Sequence, residues 1–81
     1  MDRQETAQKI IKMVAEQLSI KPEQVNEQST MESLGADSLD RVEIVMNIEE
    51  MFNIEINDEE AEKLKTIGQA IDYVHSLREK K

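Results

Sequence analysis

The chain contains no cysteine, which excludes disulfide staples and thiolate metal sites and leaves the compartment open. Long apolar runs are missing as well. The opening residues, Met1-Asp2-Arg3-Gln4-Glu5, have none and do not read as a signal peptide. No stretch approaches the roughly 20 apolar residues that span a bilayer. Basic residues are scarce: 10 Lys and Arg stand against 18 Asp and Glu, for a net charge of −8. Phosphate binding needs Lys and Arg to displace counterions, so nucleic acid and anionic membrane surfaces are poor partners. With one proline and two glycines, the chain shows no low-complexity segment and no internal repeat. The expectation is a soluble, cytoplasmic protein with no membrane insertion.

The 81 residues are expected to form a single domain spanning 1–81. A chain this short buries a small share of its surface, and at roughly 0.05–0.15 kcal/mol per residue its fold is stable by about 4–12 kcal/mol. Little material remains for a deep catalytic cleft, which argues against an enzyme. The acidic surplus serves solubility or attraction to basic patches on other proteins.

Four stretches read as helices and none as a strand. In the first, Ala7, Ile10, Ile11, Val14, Ala15 and Leu18 follow the i, i+3, i+4, i+7 pattern, with Asp2 and Glu5 placed as a capping box. A long connection follows, from about Ser19 to Asp37, pinned by Ile20, Val25, Met31 and Leu34, with a local turn at Lys21-Pro22-Glu23. The second helix is predicted over Ser38 to Phe52, capped by Asp37 and ended by Asn53. Ile54 and Ile56 read as loop anchors. A short third helix spans Asp58 to Leu64 behind Asn57 and Glu60. The fourth starts after Thr66, paired with Gln69, and carries Ile67, Ala70, Ile71, Val74 and Leu77. Lys80 and Lys81 suit its C-terminal end. The predicted fold class is all-α: a small four-helix bundle of three longer helices and a short third one, with a long loop between the first two.

The second helix has more apolar residues than its core face needs. Val42, Ile44, Val45, Ile48, Met51 and Phe52 gather on one broad side. Leu39 and Met46 fall opposite, near Glu43 and Glu50, with Asn47 at the edge. Single exposed apolar residues are ordinary. Two of them set among carboxylates read as a docking surface, where the acids steer a basic partner and the apolar knobs supply the desolvated contact.

At the head of that helix lies Leu34-Gly35-Ala36-Asp37-Ser38-Leu39-Asp40. Gly35 permits a left-handed backbone, Asp37 can accept first-turn N–H groups, and Ser38 takes the first helical position. On helix physics alone, Asp37 and Ser38 read first as ordinary capping residues. A helix N-terminus also tolerates a phosphate, although Asp37 and Asp40 oppose one locally.

Gly35-Ala36-Asp37-Ser38-Leu39-Asp40, followed by Val42-Glu43, Met46 and Glu49-Glu50, resembles the acyl carrier proteins of dissociated (type II) fatty acid synthesis. The likeness covers nearly the whole chain, including the long first loop and Ile54-Glu55-Ile56. It implies a covalent 4′-phosphopantetheine on Ser38, attached from coenzyme A by a phosphopantetheinyl transferase that recognises Asp37. The thiol of that group would hold the acyl chain as a thioester, which a chain without cysteine otherwise lacks the means to do. The residues matching the family's recognition helix are Asp37, Leu39, Asp40, Glu43, Met46, Glu49 and Glu50. These would meet fatty acid synthesis enzymes carrying basic docking patches. The group found from periodicity alone is a subset of them. Arg41 departs from the commonest pattern, where a small or neutral polar residue stands, and it bears on partner preference.

The acyl chain is expected to shelter between the helices against Val42, Ile56, Ala61, Leu64 and Ile71. The protein is expected to act as a monomer, without catalysis and without a metal site. His75, the sole histidine, reads as a surface residue on the polar side of the fourth helix, and Ser38 lacks a Gly-x-Ser-x-Gly elbow. No EF-hand spacing occurs, so the acidic clusters read as solvated carboxylates. The alternatives are a peptidyl, D-alanyl or polyketide carrier, or an unmodified acidic helical adaptor.

Overall fold

The computed structural model describes residues 2–79. It comprises α1 (Arg3–Leu18), α2 (Ser38–Phe52), the short α3 (Asp58–Lys63) and α4 (Ile67–Glu79), with a single 3₁₀ turn at Pro22–Gln24. The architecture is the expected all-α four-helix bundle with a long first loop. Lys80 and Lys81 lie outside the described residues.

Local chemistry sets the helix ends. The Asp2 carboxylate accepts the Glu5 N–H (2.9 Å) to start α1. Ser19 ends the helix in the left-handed region at φ 57°, and Ile20 N–H reaches back to the Ala15 carbonyl at 2.9 Å. Asn53 closes α2 in the same way at φ 53°. Asn57 caps α3 through the Glu60 N–H at 2.8 Å. Thr66 and Gln69 form a complete reciprocal box before α4, since each side chain accepts the other's backbone N–H at 3.1 Å. The third helix stops one residue short of its expected end: Leu64 leaves helical geometry while its N–H still bonds the Ala61 carbonyl at 3.1 Å.

Helix α1 packs against both α2 and α4. The core joins Ile10 and Val14 of α1, Ile44, Ile48 and Phe52 of α2, and Ile67, Ile71 and Val74 of α4, with Val25, Met31 and Ile56 entering from the loops. Thr6 is also fully buried, its hydroxyl bonded to the Asp2 carbonyl at 3.3 Å. At one end, the Arg78 guanidinium lies 5.2 Å from the Phe52 ring centroid.

Three expectations are corrected. Val42 and Met51 are not core residues: both are exposed, at 55% and 40%. The buried residues of α2 form a narrow stripe of Ile44, Ile48 and Phe52 against α1, and α3, none of whose residues is buried, leaves the flank of α2 open. His75 is half-buried with its Nδ1 withdrawn from solvent. It follows the core residues Ile71 and Val74 at i−4 and i−1, so the buried arc of α4 is wider than its apolar stripe.

The long loop is fastened to the start of α4. Ile67 N–H donates to the Ser29 carbonyl (2.9 Å), Gly68 N–H to the Glu27 carbonyl (2.8 Å), and Thr30 pairs with Thr66 as an isolated antiparallel bridge. Arg3 adds a side-chain clasp, with Nε 2.6 Å from Asp72 Oδ1 and the guanidinium fork on both Glu27 oxygens at 2.6 and 3.1 Å.

Candidate functional site around Ser38

The loop delivers the chain to α2 through a tight turn. Thr30 and Ser33 exchange backbone and hydroxyl hydrogen bonds at 2.9–3.0 Å. Gly35 follows with φ 84°, a conformation that a side chain strains, although a Cβ there would meet nothing within 4 Å. The constraint at Gly35 is therefore backbone conformation, not space. Ala36 N–H then returns to the Met31 carbonyl at 3.0 Å and anchors the turn on a buried side chain.

Asp37 and Asp40 form a reciprocal capping box. Asp37 Oδ1 accepts the Asp40 N–H at 2.9 Å, and Asp40 Oδ2 accepts the Asp37 N–H at 3.2 Å. The N–H groups of Ser38 and Leu39 donate to no protein acceptor among the described residues. Ser38 is exposed on this first turn, where unsatisfied donors and the positive end of the helix favour an anion.

Ser38 also stands in the wall of a cavity of about 400 Å³ that opens along the flank of α2. Met31, Val42, Ile44, Val45, Ile56, Ala61 and Leu64 supply most of its apolar lining, and Ser38 is the only hydroxyl among its lining residues. Four of the residues expected to shelter an acyl chain, Val42, Ile56, Ala61 and Leu64, thus share one cavity. Ile71 does not line it: that side chain is fully buried in the core beneath. The exposure of Val42, unexpected from periodicity, follows from its place in this wall.

Above the cavity, the outer face of α2 presents Leu39 at 73% exposure and Met46 at 53%. Glu43 and Glu50 are exposed with them, and Asp40 is half-buried in the cap. Glu43 accepts a hydrogen bond from Gln17 Nε2 of α1. Glu49, expected among the docking acids, turns inward instead. It is half-buried, lines the cavity, and its Oε2 accepts the Ile56 N–H at 2.8 Å. It braces the segment between α2 and α3, a role that helix periodicity alone does not show. Arg41 is exposed and lines the same cavity as Ser38.

An exposed hydroxyl at a phosphate-tolerant helix start, opening on an apolar recess, fits a phosphodiester-linked arm with an apolar load. Comparison with known proteins agrees. Residues 8–74 match the family described as "Phosphopantetheine attachment site". The acyl carrier protein of Wolinella succinogenes is 56% identical over 68 residues, covering 83% of this chain and 90% of that protein. A solved structure of the acyl carrier protein from Enterococcus faecalis superposes with a TM-score of 0.79 at 40% identity, covering 94% of this chain and 98% of that one. The cap, the exposed serine and the cavity therefore belong to a chain that is a member of the acyl carrier protein family.

Proposed function

We propose that Ser38 bears the 4′-phosphopantetheine, and that the chain carries acyl groups on it for the enzymes of fatty acid synthesis without catalysing a step itself. The observation that carries this reading is the exposed Ser38 hydroxyl on the first turn of α2, in the wall of an apolar cavity. Loading forms a bond between Ser38 Oγ and the phosphorus bearing the pantetheine arm of coenzyme A. The 3′,5′-ADP part leaves, and the hydroxyl proton passes to the transferase. Once attached, the group supplies a thiol that holds an acyl chain as a thioester.

The chain's own residues then do three things. Asp37 and Asp40 fix the first turn, so that the Ser38 hydroxyl faces outward. Val42, Ile56, Ala61 and Leu64 exclude water from the acyl chain. Leu39, Met46, Glu43 and Glu50 offer apolar contacts ringed by carboxylates to partners with basic patches. Residues 1–81 act as one carrier domain, and a net charge of −8 opposes self-association.

Intact mass spectrometry tests the attachment. Incubation with coenzyme A and a phosphopantetheinyl transferase is expected to add one phosphopantetheinyl group to the wild-type chain and none to Ser38→Ala. A folded wild-type chain that gains no mass overturns the reading in favour of an unmodified adaptor.

A further inference from the structure

Arg41 is a cation without an assigned task in this site. It lies three residues beyond Ser38 on α2, a spacing that places Cβ atoms about 5–6 Å apart on one helix face, and it shares the cavity wall with Ser38. The chain has a net charge of −8. Even so, among the described residues no carboxylate comes within 4.0 Å of Arg41; the ion pairs there are Arg3 with Glu27 and Asp72, and Lys63 with Glu60. Of the acids nearest in sequence, Asp37 and Asp40 each commit an oxygen to the other's backbone, and Glu43 accepts a hydrogen bond from Gln17 of α1. Glu49, on the same wall, holds the Ile56 N–H. Asp58 and Glu62 complete the acidic lining without pairing to Arg41.

We propose that Arg41 is a positioning residue for the prosthetic arm: its guanidinium pairs with the phosphodiester on Ser38 and holds the arm along the cavity wall. The inference rests on the reading of Ser38 as the attachment point. A planar fork of N–H donors matches two phosphate oxygens, which a single ammonium charge does not. The pairing also offsets the repulsion that Asp37 and Asp40 impose on a new anion between them. Before loading, Arg41 faces a second recess as well, lined by Thr30, Met31, Glu32, Glu62 and Lys65. The phosphodiester gives it one partner in place of several distant ones.

The test uses full-length wild-type, Arg41→Gln and Arg41→Lys chains, each converted with coenzyme A and the transferase and checked by intact mass. In ¹⁵N-labelled wild-type protein, the Arg41 Nε–H resonance is expected to shift between the unmodified and loaded forms. The ³¹P resonance of the loaded chain is expected to move in Arg41→Gln, to lie between the two in Arg41→Lys, and to approach the Arg41→Gln position when salt is added to wild type. An Arg41 Nε–H signal unchanged by loading, or a ³¹P signal identical in wild type and Arg41→Gln, overturns the proposal and leaves the attachment standing. Failure of folded wild-type protein to gain mass brings down the attachment, and this inference with it.

Discussion

The Gly68 N–H donates to the Glu27 carbonyl across 2.8 Å, and a Cβ built on Gly68 would stand 3.0 Å from that same oxygen and 3.1 Å from the Glu27 Cβ. The loop strand bearing Glu27 has little room to yield. Its neighbour Ser29 is bonded to Ile67 N–H, and its own carboxylate is gripped by Arg3. Alanine is favoured over glycine within a helix by about 1 kcal/mol, but overpacking against fixed backbone costs about 1–3 kcal/mol. Gly68→Ala is therefore expected to lower the urea midpoint with an unchanged denaturant slope. An unchanged or raised midpoint would show that the loop moves aside freely.

Arg3 fastens the same junction through charge. The hydrogen bond from its guanidinium holds the Glu27 carboxyl below the ordinary value of 4.5. With the folded-state pKa depressed, the stabilisation is fully present above the unfolded-state value and fades as pH falls through the lower folded-state one. The groups are largely solvated, so the effect is small and screened by salt. Melting temperature followed from neutral pH downward should fall less steeply in Arg3→Gln than in wild type at low ionic strength. Parallel curves would remove the clasp from the acid response.

Helix content was largely legible in the sequence because apolar spacing and caps repeat a short-range code. Ser38 to Phe52 emerges from that code with its boundaries intact, and so does the Thr66–Gln69 box. The relationships it missed are those between segments far apart in the chain. Nothing local to Arg3 announces Glu27 and Asp72, and nothing local to Thr30 announces Thr66. Val42 illustrates the limit most clearly. Its angular position on α2 marks it as core, but whether a face is covered depends on the neighbouring element, and α3 is too short to cover it. At the candidate site, the exposed Ser38 on the first turn and the exposed Leu39 and Met46 on the outer face of α2 were legible. It was misread at Glu49, whose hydrogen bond to Ile56 depends on how the chain turns after Asn53.

Leu39 offers a clean probe of docking, since it is 73% exposed and, unlike Met46, does not line the cavity. Leu39→Ala should leave stability within about 0.5 kcal/mol of wild type. It should weaken binding to the transferase roughly tenfold, which is about 1.4 kcal/mol. Glu43→Lys should slow association at low salt, with a smaller difference near physiological ionic strength, where the screening length is about 8 Å. Glu43→Gln serves as the control for the lost Gln17 contact. Stopped-flow association with equilibrium titration separates the two effects. Equal binding by wild type and Leu39→Ala would move the docking surface off this face of α2.

The cavity wall formed by α3 is weakly held compared with α1. None of its six residues is buried, whereas α1 contributes five buried residues. Elements with few buried contacts open locally at low free energy, so amide exchange should be faster in α3 than in the middle of α1. An acyl chain lying against Ala61 and Leu64 adds apolar contact to that wall, at about 0.8 kcal/mol per methylene removed from water. Acylation should therefore slow exchange in α3 and raise the melting temperature, and both effects should grow with chain length until the cavity is full. Ala61→Phe narrows the cavity without touching Ser38, Leu39 or Glu43, so these gains should level off at a shorter chain in the variant. If exchange in α3 matches that in α1 and ignores the acyl chain, or if Ala61→Phe follows wild type at every chain length, the cargo does not lie in this cavity.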